Sequence, residues 1–267
     1  MSLGDLGLPY LSAVFMSGLI ASSLDYGLGL GFGLLATPIL VVMGLDPRQA
    51  IAAALVAQVI SSATALIAWR SHGAKPPSTD VLLVLIASSL AGVVLGSVFM
   101  SLLGDAEALA IYTVALAGIA TLYMATATDS YSLEVRRLGR RPITILGGFL
   151  GGLSKALSGG GFSPILVASQ RVSGVDYKAS LVAIPLVKPL AFLAAAVIYS
   201  WAGYMEPYTA ASLTAGSILG SLLAPRLSRL IPRRWAHALV GLALAAAMLK
   251  AVYRLTLEYG VLGRVGF

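Results

Sequence analysis

The chemistry open to this chain is narrow, because it holds no cysteine and only two histidines, His72 and His237. Thiol nucleophiles and thiolate metal sites are excluded, and a histidine-based metal centre has too few ligands. No cofactor is implied. What remains is a small set of polar residues in apolar surroundings. Lys188 stands 12 positions after Asp176, and Gln58 stands 12 after Asp46. At 1.5 Å per residue, each falls about 18 Å into a helix, near the centre of a bilayer. A charge at that depth is expensive and usually functional. An ammonium and an amide placed there suit an anion's oxygens. Lys155 precedes the run Ser158-Gly159-Gly160-Gly161 and is either a second anion ligand or the partner of Asp25. Asp25 itself precedes a first glycine run and is the candidate for coupling to a proton or sodium ion.

The elements that must position these residues follow from composition. Of 267 residues, 58% are apolar and 11% charged, with a mean hydropathy of +0.90. A soluble domain carries about 25% charge, so the chain reads as an all-α, multi-pass membrane protein whose principal partner is the lipid bilayer. The net charge of +7 then reports topology rather than nucleic-acid binding. Six stretches are long and apolar enough to span: 49–70, 79–103, 107–127, 177–200, 207–227 and 235–256. Two others, 10–44 and 142–173, are interrupted by small residues: Gly27-Leu-Gly-Leu-Gly-Phe-Gly33 in the first, Ser158 to Gly161 in the second. Reading each as a hairpin of two short arms puts 12 of the 18 basic residues on one side. Arg48, Arg254 and Arg264 are left on the other. This agrees with the excess of Lys and Arg in cytoplasmic loops and predicts both termini outside a cell membrane. Trp69, Trp201 and Trp235 then fall at helix ends, as an aromatic belt would. Lys250 reads as a side chain reaching the outer interface.

The first half therefore starts outside and the second inside, so an internal repeat must be inverted. Thr37-Pro38-Ile39-Leu40 matches Ser163-Pro164-Ile165-Leu166, Gly44-x-Asp46-x-Arg48 matches Gly174-x-Asp176-x-Lys178, and Gly92-xxx-Gly96 matches Gly216-xxx-Gly220. The expected organisation is a first inverted repeat over 1–127, a basic cytoplasmic linker over 128–141 and a second repeat over 142–267. Each repeat would hold a broken glycine-rich helical hairpin and three transmembrane helices. Thr37 and Ser163 are expected to cap helices whose next residue is proline. Two helix N-termini would then open near mid-membrane.

A glycine-rich hairpin, then Pro-Ile-Leu, then Gly-x-Asp-x-(Arg/Lys), all occurring twice, resembles the TauE/SafE family of membrane transporters over about residues 15–255. The resemblance implies transport of a small anion, with sulfite and organosulfonates as the associated substrates. On the residues, the expected site is Lys188, Gln58, Lys155, Ser158, Gly159, Gly160, Gly161, Ser163, Gly31, Gly33 and Thr37. Backbone that is not helical is tolerated at membrane depth only where it lines a protein-enclosed or watery site. Ser61, Ser62, Thr64 and Ser154 are further hydroxyls in reach of such a site. No GxxxxGK(S/T) phosphate loop is present, so ATP hydrolysis is not expected. An anion channel fits the same residues. An intramembrane serine protease using Ser158 and His237 fits less well, because Ala156 replaces the first glycine of the Gly-x-Ser-Gly element. A homodimer is plausible from the class of protein alone.

Overall fold

A computed structural model describes residues 7–71, 73, 75–127, 139–230 and 233–258. Among these the fold is all-helical, with no strand. The helices are α1 (Leu8–Leu28), α2 (Ala36–Val42), α3 (Pro47–Ser71), α4 (Thr79–Leu102) and α5 (Asp105–Ala127), followed by α6 (Arg140–Ser158), α7 (Phe162–Val172), α8 (Tyr177–Trp201), α9 (Pro207–Leu230) and α10 (Arg233–Leu257). Five are long and apolar enough to cross a membrane: α1, α3, α4, α8 and the Ala238–Leu257 part of α10. The other two expected spans, 107–127 and 207–227, are present as α5 and α9. The interrupted stretches are each two helices parted at the glycines. The first arm α1 is, at 21 residues, itself of spanning length. The basic linker falls largely outside the described residues, as do His72 and Arg264.

The breaks have a common cause. Helix α1 ends at Gly29, whose φ of 72° is left-handed and whose N–H donates to the Asp25 carbonyl over 2.8 Å. Helix α6 ends at Gly159 with φ 72° and an N–H donating to the Lys155 carbonyl over 2.9 Å. Only glycine takes this conformation without penalty, which is why it closes helices. Among the described residues, those with positive φ are Gly29, Gly31, Gly44 and Gly73, then Gly159, Gly161, Gly174 and Gly203. Each of the second set lies 130 positions after its counterpart. In this register Asp25 corresponds to Lys155, and Gln58 corresponds to Lys188.

That register corrects two details. The Pro-Ile-Leu segments match at a spacing of 126, four residues out of step with the backbone. Thr37 and Ser163 accordingly do not cap their helices: α2 is preceded by Leu35 and α7 by Gly161, with no side-chain cap at either. The first half enters α2 through a 3-10 turn, Phe32–Leu34, whose bonds Leu34 N–H to Gly31 O (3.1 Å) and Leu35 N–H to Phe32 O (3.2 Å) occupy those donors. Helix α7 instead starts directly after the left-handed Gly161.

Glycines also set the helix pairings. A methyl at Gly92 of α4 would strike the Phe149 carbonyl of α6, and one at Gly220 of α9 would strike the Leu19 carbonyl of α1. Likewise Gly148 of α6 sits against the Leu85 carbonyl of α4, and Gly18 of α1 against the Leu213 carbonyl of α9. These are the close backbone approaches that small residues permit in membranes. Gly92 thus corresponds to Gly220 rather than to Gly216, because the α3–α4 connection is two residues longer than the α8–α9 connection. Trp69 completes the pattern. It is buried, not interfacial, and its indole N–H donates to the Tyr26 carbonyl over 3.0 Å. Tyr199, 130 positions on, donates its hydroxyl to the Ala156 carbonyl over 2.8 Å. Trp201 and Trp235 are exposed, as an aromatic belt requires.

Candidate functional site

The two breaks meet. A Cβ at Gly33 would fall on the Gly159 carbonyl, one at Gly159 would fall on the Thr37 side chain, and one at Gly160 would press into Leu34. Gly31 packs against Pro164 at the start of α7. The Thr37 hydroxyl donates to the Gly159 carbonyl at 3.5 Å. The glycine runs predicted to line a site are therefore one contiguous piece of backbone, drawn from both halves of the chain.

Around this contact lie the charges. Lys188 of α8 donates to Asp25 Oδ2 of α1, and both side chains are 0% exposed. An ion pair with no access to water is seldom a net gain in stability, because desolvation offsets the attraction. The Asp25 Oδ1 atom is buried without a hydrogen-bond partner. Lys188 Nζ also lies 4.6 Å from the centre of the Tyr26 ring and 5.9 Å from that of Phe192. Lys155 is 1% exposed; its ammonium donates to the Gly159 carbonyl over 2.8 Å and sits 5.5 Å from the Phe192 ring. Of the two roles open to Lys155, pairing with Asp25 is thus taken by Lys188. The cluster is two lysines about one carboxylate, with Phe192 facing both ammonium groups.

Proline shapes the lysine's helix. Pro185 and Pro189 lie inside α8 on either side of Lys188, where each removes a backbone donor and weakens the local ladder. The other predicted residues divide. Gln58 is buried; its side-chain amide Nε2 donates to the Ala54 carbonyl over 2.9 Å, and its backbone carbonyl accepts from the Tyr26 hydroxyl at 3.2 Å. That hydroxyl also meets Ser62 Oγ at 2.9 Å. Ser154 donates to the Gly160 carbonyl and Ser158 to the Ser154 carbonyl, both at 2.9 Å. Ser158 Oγ further accepts from the Gly160 N–H at 3.2 Å. These serines hold the break in shape. Ser163, in the first turn of α7, is buried with no partner for its hydroxyl. Gly161 precedes it in the left-handed conformation at φ 82°.

Three residues carry roles the sequence did not disclose. Tyr26 and Phe192 are the aromatic faces of the lysines; in an apolar chain nothing distinguishes them from core. Arg48, counted from the sequence only as a basic residue on the outer side, is 2% exposed. It pairs with Asp46 at 3.0 Å and with Asp105, donates to the Leu103 carbonyl over 2.9 Å, and stacks 4.2 Å from the Tyr204 ring. Its position after Gly-x-Asp was the available signal. Lys250 donates to the Val42 carbonyl at the end of α2, a cation at a helix C-terminus.

An all-helical membrane protein in which two interrupted helices enclose a buried cluster of charge has the construction of a transport protein. Residues 14–251 match the family model Sulfite exporter TauE/SafE, and the chain belongs to that family. No curated protein and no solved structure matches it. Membership implies a membrane exporter of sulfite or related sulfur compounds.

Proposed function

We propose that the protein is a secondary transporter of a small sulfur oxyanion or organosulfonate, working by alternating access. The anion sits between Lys188 and Lys155 where the two breaks meet. The observation that carries this reading is the buried pair of lysines around a single carboxylate. With both ammonium groups charged, the cluster is one negative charge short of neutrality, and a monoanion supplies it. Asp25 is the counter-ion that holds Lys188 in the empty site. The unpartnered Ser163 hydroxyl and the first N–H groups of α7, beyond Gly159, Gly160 and Gly161, are donors for the remaining oxygens. Gly31, Gly33 and Thr37 form the facing wall, and Gln58 turns its amide from Ala54 to the anion.

The two halves are read as inverted repeats in a cell membrane, with both termini outside. The spacing of 130 between the positive-φ glycines and the matching α1–α9 and α6–α4 contacts support duplication; the placement of basic loops supports inversion. A site buried on every side favours a carrier over a channel. The test is uptake of sulfite, sulfate and short alkanesulfonates into proteoliposomes, with Lys188→Ala beside the wild type. Loss of flux in Lys188→Ala supports the site. Normal flux of every anion in that variant refutes it.

A further inference from the structure

Resting on that reading, we infer that Lys155 is the proton carrier of the transport cycle: one proton is taken up on its side-chain nitrogen as one monoanion enters, and both leave together. The two lysines differ in how their charge is balanced away from water. Lys188 has its counter-ion in Asp25. Lys155 has none: its nitrogen meets the Gly159 carbonyl and the face of Phe192. The titratable and charged groups on the elements packed around it complete the account. Helix α1 brings Asp25, already paired, and the Tyr26 hydroxyl, held by Ser62. Helix α8 brings Lys188 and Tyr199, whose hydroxyl is spent on the Ala156 carbonyl. Helix α4 carries only Asp80, in its first turn, and α7 carries only Arg171, in its last. Helix α5 carries Asp105 and Glu107 in its first turn and the buried Tyr112 further along. Helix α3 carries Arg48 and Arg70 at its two ends.

An unbalanced ammonium in such surroundings is expensive, and the expense vanishes when an anion arrives beside it. The empty carrier therefore returns with Lys155 as the free amine, and the loaded carrier holds ammonium and anion together. The proton adds to the nitrogen lone pair from water on the side of entry, and no other bond changes. Both forms of the site are neutral, so the cycle responds to a pH gradient and is indifferent to membrane potential. Asp25, the coupling candidate by sequence, serves in this scheme as the standing partner of Lys188.

The test uses the intact protein in proteoliposomes with methanesulfonate, whose single charge does not vary with pH, and with sulfite in parallel, each measured over empty liposomes. An acidic exterior should drive accumulation approaching about tenfold per pH unit, the equilibrium of one-for-one coupling. Trapped pyranine should report one proton per anion, and a potassium–valinomycin potential should leave the rate unchanged. In Lys155→Arg the charge is fixed, because guanidinium does not deprotonate; its flux should lose the response to pH and gain one to potential. If neither anion enters, the transport reading itself falls. If an anion enters but carries no proton and ignores the pH gradient, transport stands and the role of Lys155 falls. A wild type that carries no proton overturns the role outright; should the bulkier arginine not fold, Lys155→Gln replaces it, whose residual flux should carry no proton, and one proton per anion in that variant overturns the role of Lys155.

Discussion

Lys188 and Asp25 form the contact on which both structure and transport converge, and variants can separate the two. Removing one member of a buried pair leaves a naked charge and costs about 3–5 kcal/mol. Lys188→Ala should therefore melt earlier in detergent, and so should Asp25→Ala. The double variant, with no charge left unpaired, should recover most of the loss in melting temperature while remaining transport-dead. Recovery of transport in the double variant would reduce the pair to scaffolding. The buried setting of Lys188 and Gln58 was legible in the sequence, because counting from Asp176 and Asp46 needs only the rise of a helix. Partnership was not. Which acid meets which ammonium depends on how α1 lies against α8, and residue spacing carries no information on that. The burial of Arg48 escaped for a related reason: it is made by Asp105 at the start of α5 and by Tyr204 in the α8–α9 connection.

At the scale of elements, the breaks depend on contacts that glycine alone allows. Gly33→Ala would drive a methyl into the Gly159 carbonyl and force the tips apart, a clash of backbone that typically costs 1–3 kcal/mol or more. Gly73→Ala meets open space and bears only the penalty of its φ of 69°, about 1–2 kcal/mol. Both should destabilise in thermal melting, but only Gly33→Ala should also depress anion flux, by tenfold or more. Equal flux in the two would show that the tips need not touch. The sequence located both breaks because glycine runs stand out in apolar helices. It misjudged the caps, since Ser or Thr before Pro is a local signal, whereas here the left-handed Gly161 and a 3-10 turn start the second arms. The Pro-Ile-Leu match slipped for the same reason, whereas the match of Gly44-x-Asp46 to Gly174-x-Asp176 already stood in the register that the backbone conformations show.

For the whole molecule, inversion makes a sharp demand on sidedness. The chain contains no cysteine, so single-cysteine labelling needs no background removal. Ser78→Cys, in the α3–α4 connection, and Lys178→Cys, in the first turn of α8, both exposed, should react from the cytoplasmic side. Gly104→Cys and Ala202→Cys, also exposed, should react from the outside. Labelling of 78 and 178 from opposite faces would contradict the inverted arrangement.

The claim that an anion completes the Lys188–Lys155 cluster is tested most directly by ligand-dependent stability. A ligand at 100 times its dissociation constant adds about 2.7 kcal/mol to the folded state. Purified wild type should show a saturable rise in melting temperature with sulfite or methanesulfonate, and not with equal ionic strength of chloride. Lys188→Ala should show no such rise at any concentration. An equal, saturable rise in Lys188→Ala would place the anion elsewhere and contradict the account.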